Sequence, residues 1–312
     1  MDLTTKVYLT IDAGGTYLKS AILSPEGVII KNSFFMTRSY SKGSGKMILQ
    51  AFRYTVHHGI AMIMKSGLEL EGIGIAIPGP FDYEKGIPLM EHKFGGIYGM
   101  DLRTAIQDIA GLSTVPPVAF IHDANAVLAG EIWTGNAQGY DNVALITLGT
   151  GLGFAFSQNG VIQLNKMGGP CLSIYKLPFR QGILEDYTAQ RGFLEIYGEL
   201  SGKSDTTGIK VSDIGRWADE GDKASLDTFL NVGEILAETL KDILIEKNIQ
   251  CLLFGGQISR SFHHMENSLK SGLKEMKLLR KISQVKSIDN AAFYGALHEI
   301  LKYSPKQPDQ QK

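Results

Sequence analysis

The sequence of 312 residues has few cysteines and no excess of charge of either sign. Cys171 and Cys251 are its only cysteines, far apart and outside any Cys-x-x-Cys pair, which argues against a disulfide framework and a cysteine-rich zinc site. Lys and Arg number 31 against 32 Asp and Glu, so no global charge attracts a nucleic-acid backbone or an anionic membrane. We therefore expect neither nucleic acid nor membrane among its partners.

Long apolar runs are missing as well. No segment approaches the roughly 18 uninterrupted apolar residues of a membrane span. The residues before Val7 show no basic start followed by an apolar stretch of signal-peptide length. These absences predict a cytoplasmic protein. The length suggests two domains, each with its own core, on a prior of roughly 100–200 residues per domain.

Glycine-bearing loops that follow strands are the main positive feature. Residues 7–11 predict a buried strand, which leads into the loop Asp12-Ala13-Gly14-Gly15-Thr16, a second strand at 19–23, a turn and a third strand at 28–30. The same order recurs from residue 143, with the loop at 148–153 and a last strand at 161–162. Two such hairpins can coincide by chance, but the repetition favours an internally duplicated chain.

Strands and helices alternate along the rest of the chain. Residues 47–64 predict a helix, and 72–77 predict a buried parallel strand that stops at Pro78-Gly79-Pro80. Further strands are predicted at 118–121 and 251–254, and further helices at 123–133, 225–244 and 290–301. This alternation indicates an α/β protein.

The glycine loops suit phosphate groups. Consecutive glycines let backbone N–H groups turn toward one point, a Thr hydroxyl adds a donor, and a carboxylate can orient a hydrated magnesium ion. A tight turn would use the same residues for conformational reasons alone. The predicted nucleotide-binding residues are Asp12 (also for Mg²⁺), Gly14, Gly15, Thr16, Gly149, Thr150, Gly151, Gly255 and Gly256.

The order of these elements, together with the segment His122-Asp123-Ala124-Asn125-Ala126, resembles the ROK family of sugar kinases and regulators. The resemblance implies an actin-like α/β fold with two ribonuclease-H-like domains closing over a cleft, use of ATP and Mg²⁺, and a homodimer. The domains are expected at 1–119, completed by a helix at 289–302, and at 120–288, with a disordered tail at 303–312. Because no DNA-binding segment precedes Val7, a DNA-binding regulator is not expected.

The resemblance also assigns roles to single residues. Asp123 matches the family's catalytic base and would accept the proton of a sugar hydroxyl as the bond to the γ-phosphoryl forms. Pro78, Gly79, His122, Asp123 and Glu185 are assigned to the sugar side. Three of them have a plainer alternative: a helix cap for Asp123, a structural histidine for His122, and a solvated helix-start carboxylate for Glu185.

Two family motifs are absent. Where the family has Gly-Glu-x-Gly-His for the sugar, this chain has Gly169-Pro170-Cys171-Leu172-Ser173, and residues 173–187 lack the zinc-binding cysteines, so no structural zinc is expected. The family's substrate-contacting Asn-Leu-x-x-Trp region falls near residues 91–98. This segment contains Lys93, and a lysine at such a position is usually only a surface charge. The leading hypothesis is an ATP-dependent sugar kinase with Mg-ATP held between the two Gly-Thr loops. A catalytically idle sugar or nucleotide sensor and a polyphosphate-dependent kinase are the alternatives.

Overall fold

The computed structural model describes residues 5–303, and their contacts divide them into two compact units. The first comprises residues 5–133, 164–169 and 290–303, and the second comprises 134–163 and 170–289. The predicted boundary between residues 119 and 120 differs, because it falls inside a strand that pairs along its whole length with the first sheet. Of the tail predicted at 303–312, all but Tyr303 lies outside the described residues.

The strands of the first unit are β1 Lys6–Ala13, β2 Tyr17–Leu23, β3 Phe35–Arg38, β4 Glu69–Ile77, the short pair β5 Phe81–Asp82 and β6 Ile87–Pro88, and β7 Val118–His122. Five of them form one mixed sheet with the order β3-β2-β1-β4-β7. The helices of this unit are α1 Gly45–Lys65, α2 Leu102–Ala110, α3 Asp123–Thr134 and α9 Ala291–Lys302, with a 3-10 turn at Gly95–Ile97.

Strand direction sets where this unit can carry a site. β1 is antiparallel to β2 but parallel to β4, which is parallel to β7. Asp12 lies opposite Ala76, and Ile77 lies opposite His122. The carboxyl ends of β1, β4 and β7 therefore meet at one edge of the sheet.

Helices cover both faces of this sheet. One face packs against α1, whose Ile48, Phe52 and Val56 recur every fourth residue and are fully buried. The other face packs against α9 through Phe293 and Leu297. Such spacing is that of an amphipathic helix, so burial of these stripes is what holds the helices on the sheet.

The strands of the second unit are β8 Val143–Leu148, β9 Leu152–Gln158, β10 Val161–Ile162, the short pair β11 Pro178–Phe179 and β12 Gly182–Ile183, β13 Cys251–Gly255 and β14 Lys281–Gln284. Five of them form a sheet with the order β10-β9-β8-β13-β14, which repeats the strand order of the first sheet. The helices of this unit are α4 Leu184–Thr188, α5 Gln190–Ser201, α6 Val211–Asp219, α7 Lys223–Glu246, the 3-10 helix Gln257–His264 and α8 Glu266–Gly272. In each sheet, an antiparallel hairpin precedes parallel strands, so the predicted duplication is confirmed.

One predicted strand is wrong. Residues 28–30 form only an isolated bridge between Leu23 and Ile29, and Val28 is exposed. The third strand is β3, which pairs with β2 after the backbone turns through Asn32 at a φ of 60°. Three consecutive apolar residues are typical of a strand, and nothing in the sequence around them indicates the turn at Asn32. Within residues 5–303 no helix is both long and apolar enough to cross a membrane.

Candidate active site

The ends of three parallel strands gather the predicted catalytic and acceptor residues of the first unit. Asp12 lies near the end of β1, Pro78 and Gly79 follow β4, and His122 and Asp123 stand at the junction of β7 and α3. A Cβ atom on Gly79 would lie 3.4 Å from Cδ2 of His122, so the β4 and β7 ends are in contact. Residues that are distant in sequence thus share one edge of the sheet.

Asp123 is the first residue of α3, with 47% of its side-chain surface exposed. Its Oδ1 accepts a hydrogen bond of 2.7 Å from the Ala124 N–H and lies 3.0 Å from Nδ1 of His122. Among the described residues, no hydrogen bond or ion pair engages Oδ2. One oxygen therefore supports the first turn of α3, and the other is available to a substrate.

Asp12 is a weaker acid than an ordinary aspartate. Burial raises its pKa from 3.8 to about 6, with Asp123 adding to the rise and Lys19 opposing it. The Lys19 Nζ lies 4.0 Å from Oδ2, too far for a close ion pair, and 23% of the Asp12 side chain stays accessible. Burial destabilises the ionised form of this carboxylate, and no cation lies close enough to offset that effect. A hydrated magnesium ion would favour the ionised form of Asp12, so the residue fits such an ion.

The backbone of the loop after β1 is only partly engaged. The Gly14 N–H donates to the Tyr17 carbonyl at 2.9 Å, and the Gly15 carbonyl accepts from the Ser41 hydroxyl at 2.5 Å. No hydrogen bond engages the N–H groups of Gly15 and Thr16 within the described range. These two donors, with the exposed Thr16 side chain, are the part of the loop that can hold phosphate oxygens.

Lys93 also belongs to this site. A Cβ atom on Gly15 would lie 3.4 Å from Cε of Lys93, so the lysine stem covers the loop. Its neighbour Phe94 is fully buried and donates its N–H to the Ser41 carbonyl at 2.5 Å, while Ser41 holds Gly15. In the described part of the chain the Lys93 ammonium has no ion-pair or hydrogen-bond partner. A cation without a partner lies over the first loop.

In the second unit, two strand ends bring the remaining nucleotide-binding residues together. Thr147, in β8, pairs with Gly255, at the end of the parallel strand β13. Gly256 follows with a φ of 83°, and its Cα lies so close to the Leu148 carbonyl that a Cβ has no space. Only glycine fits there, and it places the third glycine element directly beside the loop at Gly149 to Gly151.

The loop after β8 is held by side chains and backbone of the following helices. The Gly149 N–H donates to the Gly151 carbonyl at 3.1 Å, and the Gly149 carbonyl accepts from the Gln190 N–H at 2.9 Å. As in the first loop, two N–H groups, here of Thr150 and Gly151, have no partner in the described residues. The two loops therefore present the same kind of donor pair.

Glu185 has a structural partner that the sequence did not indicate. Its Oε2 accepts a hydrogen bond of 2.8 Å from the Leu152 N–H and lies 2.8 Å from where a Cβ on Gly151 would be. Its own N–H donates to the Tyr175 carbonyl at 3.1 Å. The carboxylate therefore supports the second loop, while its contact with a sugar stays a prediction.

The predicted site residues thus form two groups, one in each unit. The first unit holds Asp12, Gly14, Gly15, Thr16, Pro78, Gly79, His122 and Asp123, and the second holds Gly149, Thr150, Gly151, Glu185, Gly255 and Gly256. Sequence reasoning missed the position of Lys93. Its segment was matched to a substrate-contacting region of the family, which is the only signal that could have found it.

The family model described as ROK family matches residues 8–170 and 178–298, so the chain belongs to the ROK family. It is 25% identical over 299 residues to a glucokinase of Halalkalibacterium halodurans, covering 89% of this chain and 88% of that protein. It is 26% identical over 274 residues to the xylose repressor of Bacillus subtilis, covering 84% of this chain and 67% of the repressor.

A solved structure shows the same fold. The ROK family glucokinase from Streptomyces griseus, in complex with glucose and AMPPNP, is similar with a TM-score of 0.78 and 21% identity, covering 94% of this chain and 98% of that one. The predicted actin-like, two-domain α/β fold is thereby confirmed. The internal stretch that the family model leaves unmatched, 171–177, overlaps the segments where the sugar and zinc motifs are missing.

Proposed function

We propose that this protein transfers the γ-phosphoryl group of ATP to a hydroxyl of a sugar or sugar derivative, with Asp123 as the general base. The observation that carries the proposal is the placement of Asp123 at the strand-end edge, with Oδ2 unengaged and Asp12 near enough to interact through charge. Membership in a family whose relatives include glucokinases supports the same reaction.

The residues of the first unit each have a part in this proposal. Asp123 orients the acceptor hydroxyl and takes its proton as the oxygen attacks phosphorus and the bond to the ADP leaving group breaks. Magnesium, when bound, neutralises charge on the phosphates, and Asp12 is the residue that would hold it through water or ATP. Lys93 and the N–H groups of Gly15 and Thr16 stabilise the negative charge on the transferred group.

His122 acts beside the base in this proposal. Its Nδ1 lies 3.0 Å from Oδ1 of Asp123, and in this proposal the ring donates its Nδ1 proton to that oxygen and holds the carboxylate in place. The family has Asn at this position, and a neutral imidazole offers one N–H donor where the Asn amide offers two.

ATP is proposed as the donor because the second unit has a glycine element next to its phosphate loop. Gly255 and Gly256 end β13 directly beside the loop at Gly149 to Gly151, because Gly256 packs against the Leu148 carbonyl, and the adenosine of ATP is proposed to bind at this strand end. The N–H groups of Thr150 and Gly151 offer hydrogen bonds to phosphate oxygens. A polyphosphate donor would need only the phosphate-binding N–H groups and not the glycine element.

The acceptor pocket lacks two groups of the usual family motif. Pro170 and Ser173 stand where the Glu and His that hold sugar hydroxyls are found in the family, so standard glucose contacts are reduced. A screen of hexoses, amino sugars, polyols and glycosides, with ATP and magnesium and ADP release as the readout, tests the proposal. If no acceptor stimulates ADP release although ATP binds, the proposed kinase activity is wrong.

Two alternatives are distinguished by the same screen. A sensor that binds sugar or nucleotide without turnover is favoured by the missing acceptor groups and by the similarity to a xylose repressor. Calorimetric binding of a sugar without ADP release would identify it. Replacement of ATP by polyphosphate with retained product formation would identify a polyphosphate-dependent kinase.

We also propose that the protein is a cytoplasmic homodimer. Light scattering would test the number of chains in the assembly.

A further inference from the structure

Three side chains with metal-binding atoms converge in the second unit, apart from the candidate active site. Asp219 is the last residue of α6, and His263 and His264 end the 3-10 helix Gln257–His264. The Asp219 Oδ1 lies 2.9 Å from Nε2 of His263 and 2.8 Å from Nε2 of His264. The two histidine rings lie side by side, with their centroids 3.9 Å apart.

The two elements that carry these residues are fixed against each other. Ser261 lies directly against Gly215 of α6, with no space for a Cβ there. His264 is only 10% exposed and packs against Phe229, at 5.5 Å between ring centroids. Packing therefore fixes the two elements and the ring of His264, while Asp219 and His263 are exposed side chains at the ends of these elements.

The separations are near those of a coordination sphere. Zinc binds imidazole nitrogen and carboxylate oxygen at about 2.0–2.2 Å, which puts neighbouring ligand atoms of a tetrahedral site about 3.3 Å apart. All three candidate atoms lie within 4.8 Å of one another, and the two Asp219 contacts are shorter than 3.3 Å by about half an ångström. Small rotations of the side chains open the space that an ion needs.

The exposure of the cluster leaves room for further ligands. Asp219 and His263 have more than half of their side-chain surfaces accessible, so water can complete the coordination. Arg216 of the same helix pairs with Asp213 and Glu220, which leaves Asp219 to the two histidines. Two neutral imidazoles and one carboxylate form a donor set that suits zinc and neighbouring divalent transition metals better than magnesium or calcium.

We propose that Asp219, His263 and His264 bind one divalent transition-metal ion, which joins the end of α6 to the 3-10 helix. Each imidazole binds through Nε2 and keeps its proton on Nδ1, a tautomer that neutral histidine can adopt. The three residues are separate from the residues assigned to the phosphoryl transfer, so the proposal does not depend on the kinase activity. Its consequence is a metal-dependent gain in stability of the second unit.

The test uses the full chain without a histidine tag, stripped of metal with a chelator. Titration with Co²⁺, followed by visible absorption, and with Zn²⁺, followed by calorimetry, gives stoichiometry and affinity. The variants are His263→Ala and Asp219→Asn, both at exposed positions, and His58→Gln, an exposed histidine of α1, is the matched control. Circular dichroism checks that each variant is folded.

We expect one equivalent of metal, a rise in Tm on adding Zn²⁺, and affinities lower by roughly tenfold or more in both His263→Ala and Asp219→Asn. The His58→Gln control should bind as tightly as the unchanged chain. A chain that binds no metal at micromolar concentrations would overturn the proposal and leave a hydrogen-bonded triad. Unchanged affinity in either cluster variant, or an equal loss in the control, would overturn it as well.

Discussion

The two units share one strand order but use it for different chemistry. In the first unit the loop after β1 is surrounded by charged side chains, with Asp12, Lys93 and Asp123 all near it. In the second unit the corresponding loop after β8 is contacted by the carboxylate of Glu185, which accepts a backbone N–H. Duplication therefore conserved the backbone donors of the loops, whereas the charges that can act on a reacting group stand in the first unit.

This difference predicts that substitution of Asp123 or Lys93 in the first unit affects the chemical step, whereas substitution of Glu185 in the second unit affects nucleotide binding. The largest effect is expected for Asp123→Asn. Asn caps a helix as well as Asp does but cannot accept the proton, so kcat should fall by roughly 10²–10⁴-fold with Tm and ATP affinity unchanged. The acceptor-dependent ADP release of purified protein measures it.

The matched control is Asp101→Asn. Asp101 caps α2 by accepting from the Thr104 N–H at 3.0 Å, so it has the capping role without a place at the strand-end edge. Its variant should keep full activity. If Asp123→Asn is as active as Asp101→Asn, the cap is the whole role of Asp123 and the proposed base is wrong.

The second prediction concerns the raised pKa of Asp12. The folded chain keeps the Asp12 proton up to about pH 6, whereas the unfolded chain loses it near 3.8. Stability from this group is therefore fully present below pH 3.8 and is lost as pH rises to about 6. Relative to Asp12→Asn, the free energy of unfolding should fall over this window by at most about 3 kcal/mol.

Chemical denaturation of both proteins between pH 3.5 and 7, without magnesium or nucleotide, measures that difference. Asp108→Asn, at an exposed position of α2, is the control and should give a difference that hardly changes with pH. A flat difference for Asp12→Asn would mean that its carboxyl is not destabilised by burial. Nothing in the acidity of Asp12 would then favour a bound magnesium ion.

The third prediction concerns Lys93, the cation over the first loop. Lys93→Met keeps the stem that covers Gly15 and removes the charge, so kcat should fall by roughly ten- to a hundredfold while the fold is kept. Lys42→Met, an exposed lysine beside Ser41, is the control and should have little effect. An equal kcat for the two variants would show that Lys93 only packs on the loop.

Some parts of this arrangement could be predicted from the sequence, and others could not. The two strand–loop–strand units are local, so residue order alone gave the loops and the duplication. The position of Asp123 came from a strand end followed by a helix start, which is also local. Lys93 reaches Gly15 across 78 positions, through a buried Phe94 and a Ser41 that bonds to both segments. No pattern in the sequence specifies such a path.

The role of Glu185 also depends on contacts that the sequence does not indicate. Its motif was matched to a sugar-binding segment, yet the structure uses one of its oxygens for the Leu152 N–H because β12 and α4 bring it under the second loop. The failed strand at 28–30 has a similar cause, since the turn at Asn32 moves pairing to β3. The apolar content of a segment predicts whether the segment is buried. The strand with which it pairs depends on the turns between the elements.

The smallest effect is expected for Glu185→Gln, and it separates two roles. If the carboxylate mainly supports the second loop, Gln will hold the Leu152 N–H less strongly, and the Kd for ATP should rise by roughly tenfold with little change in the acceptor KM. If the carboxylate mainly holds a sugar hydroxyl, the acceptor KM should rise and the Kd for ATP should stay the same. Glu195→Gln, an exposed position on α5, serves as the control for loss of one charge. Calorimetry of ATP binding without acceptor decides between the two, because the loop's support is present before any sugar binds.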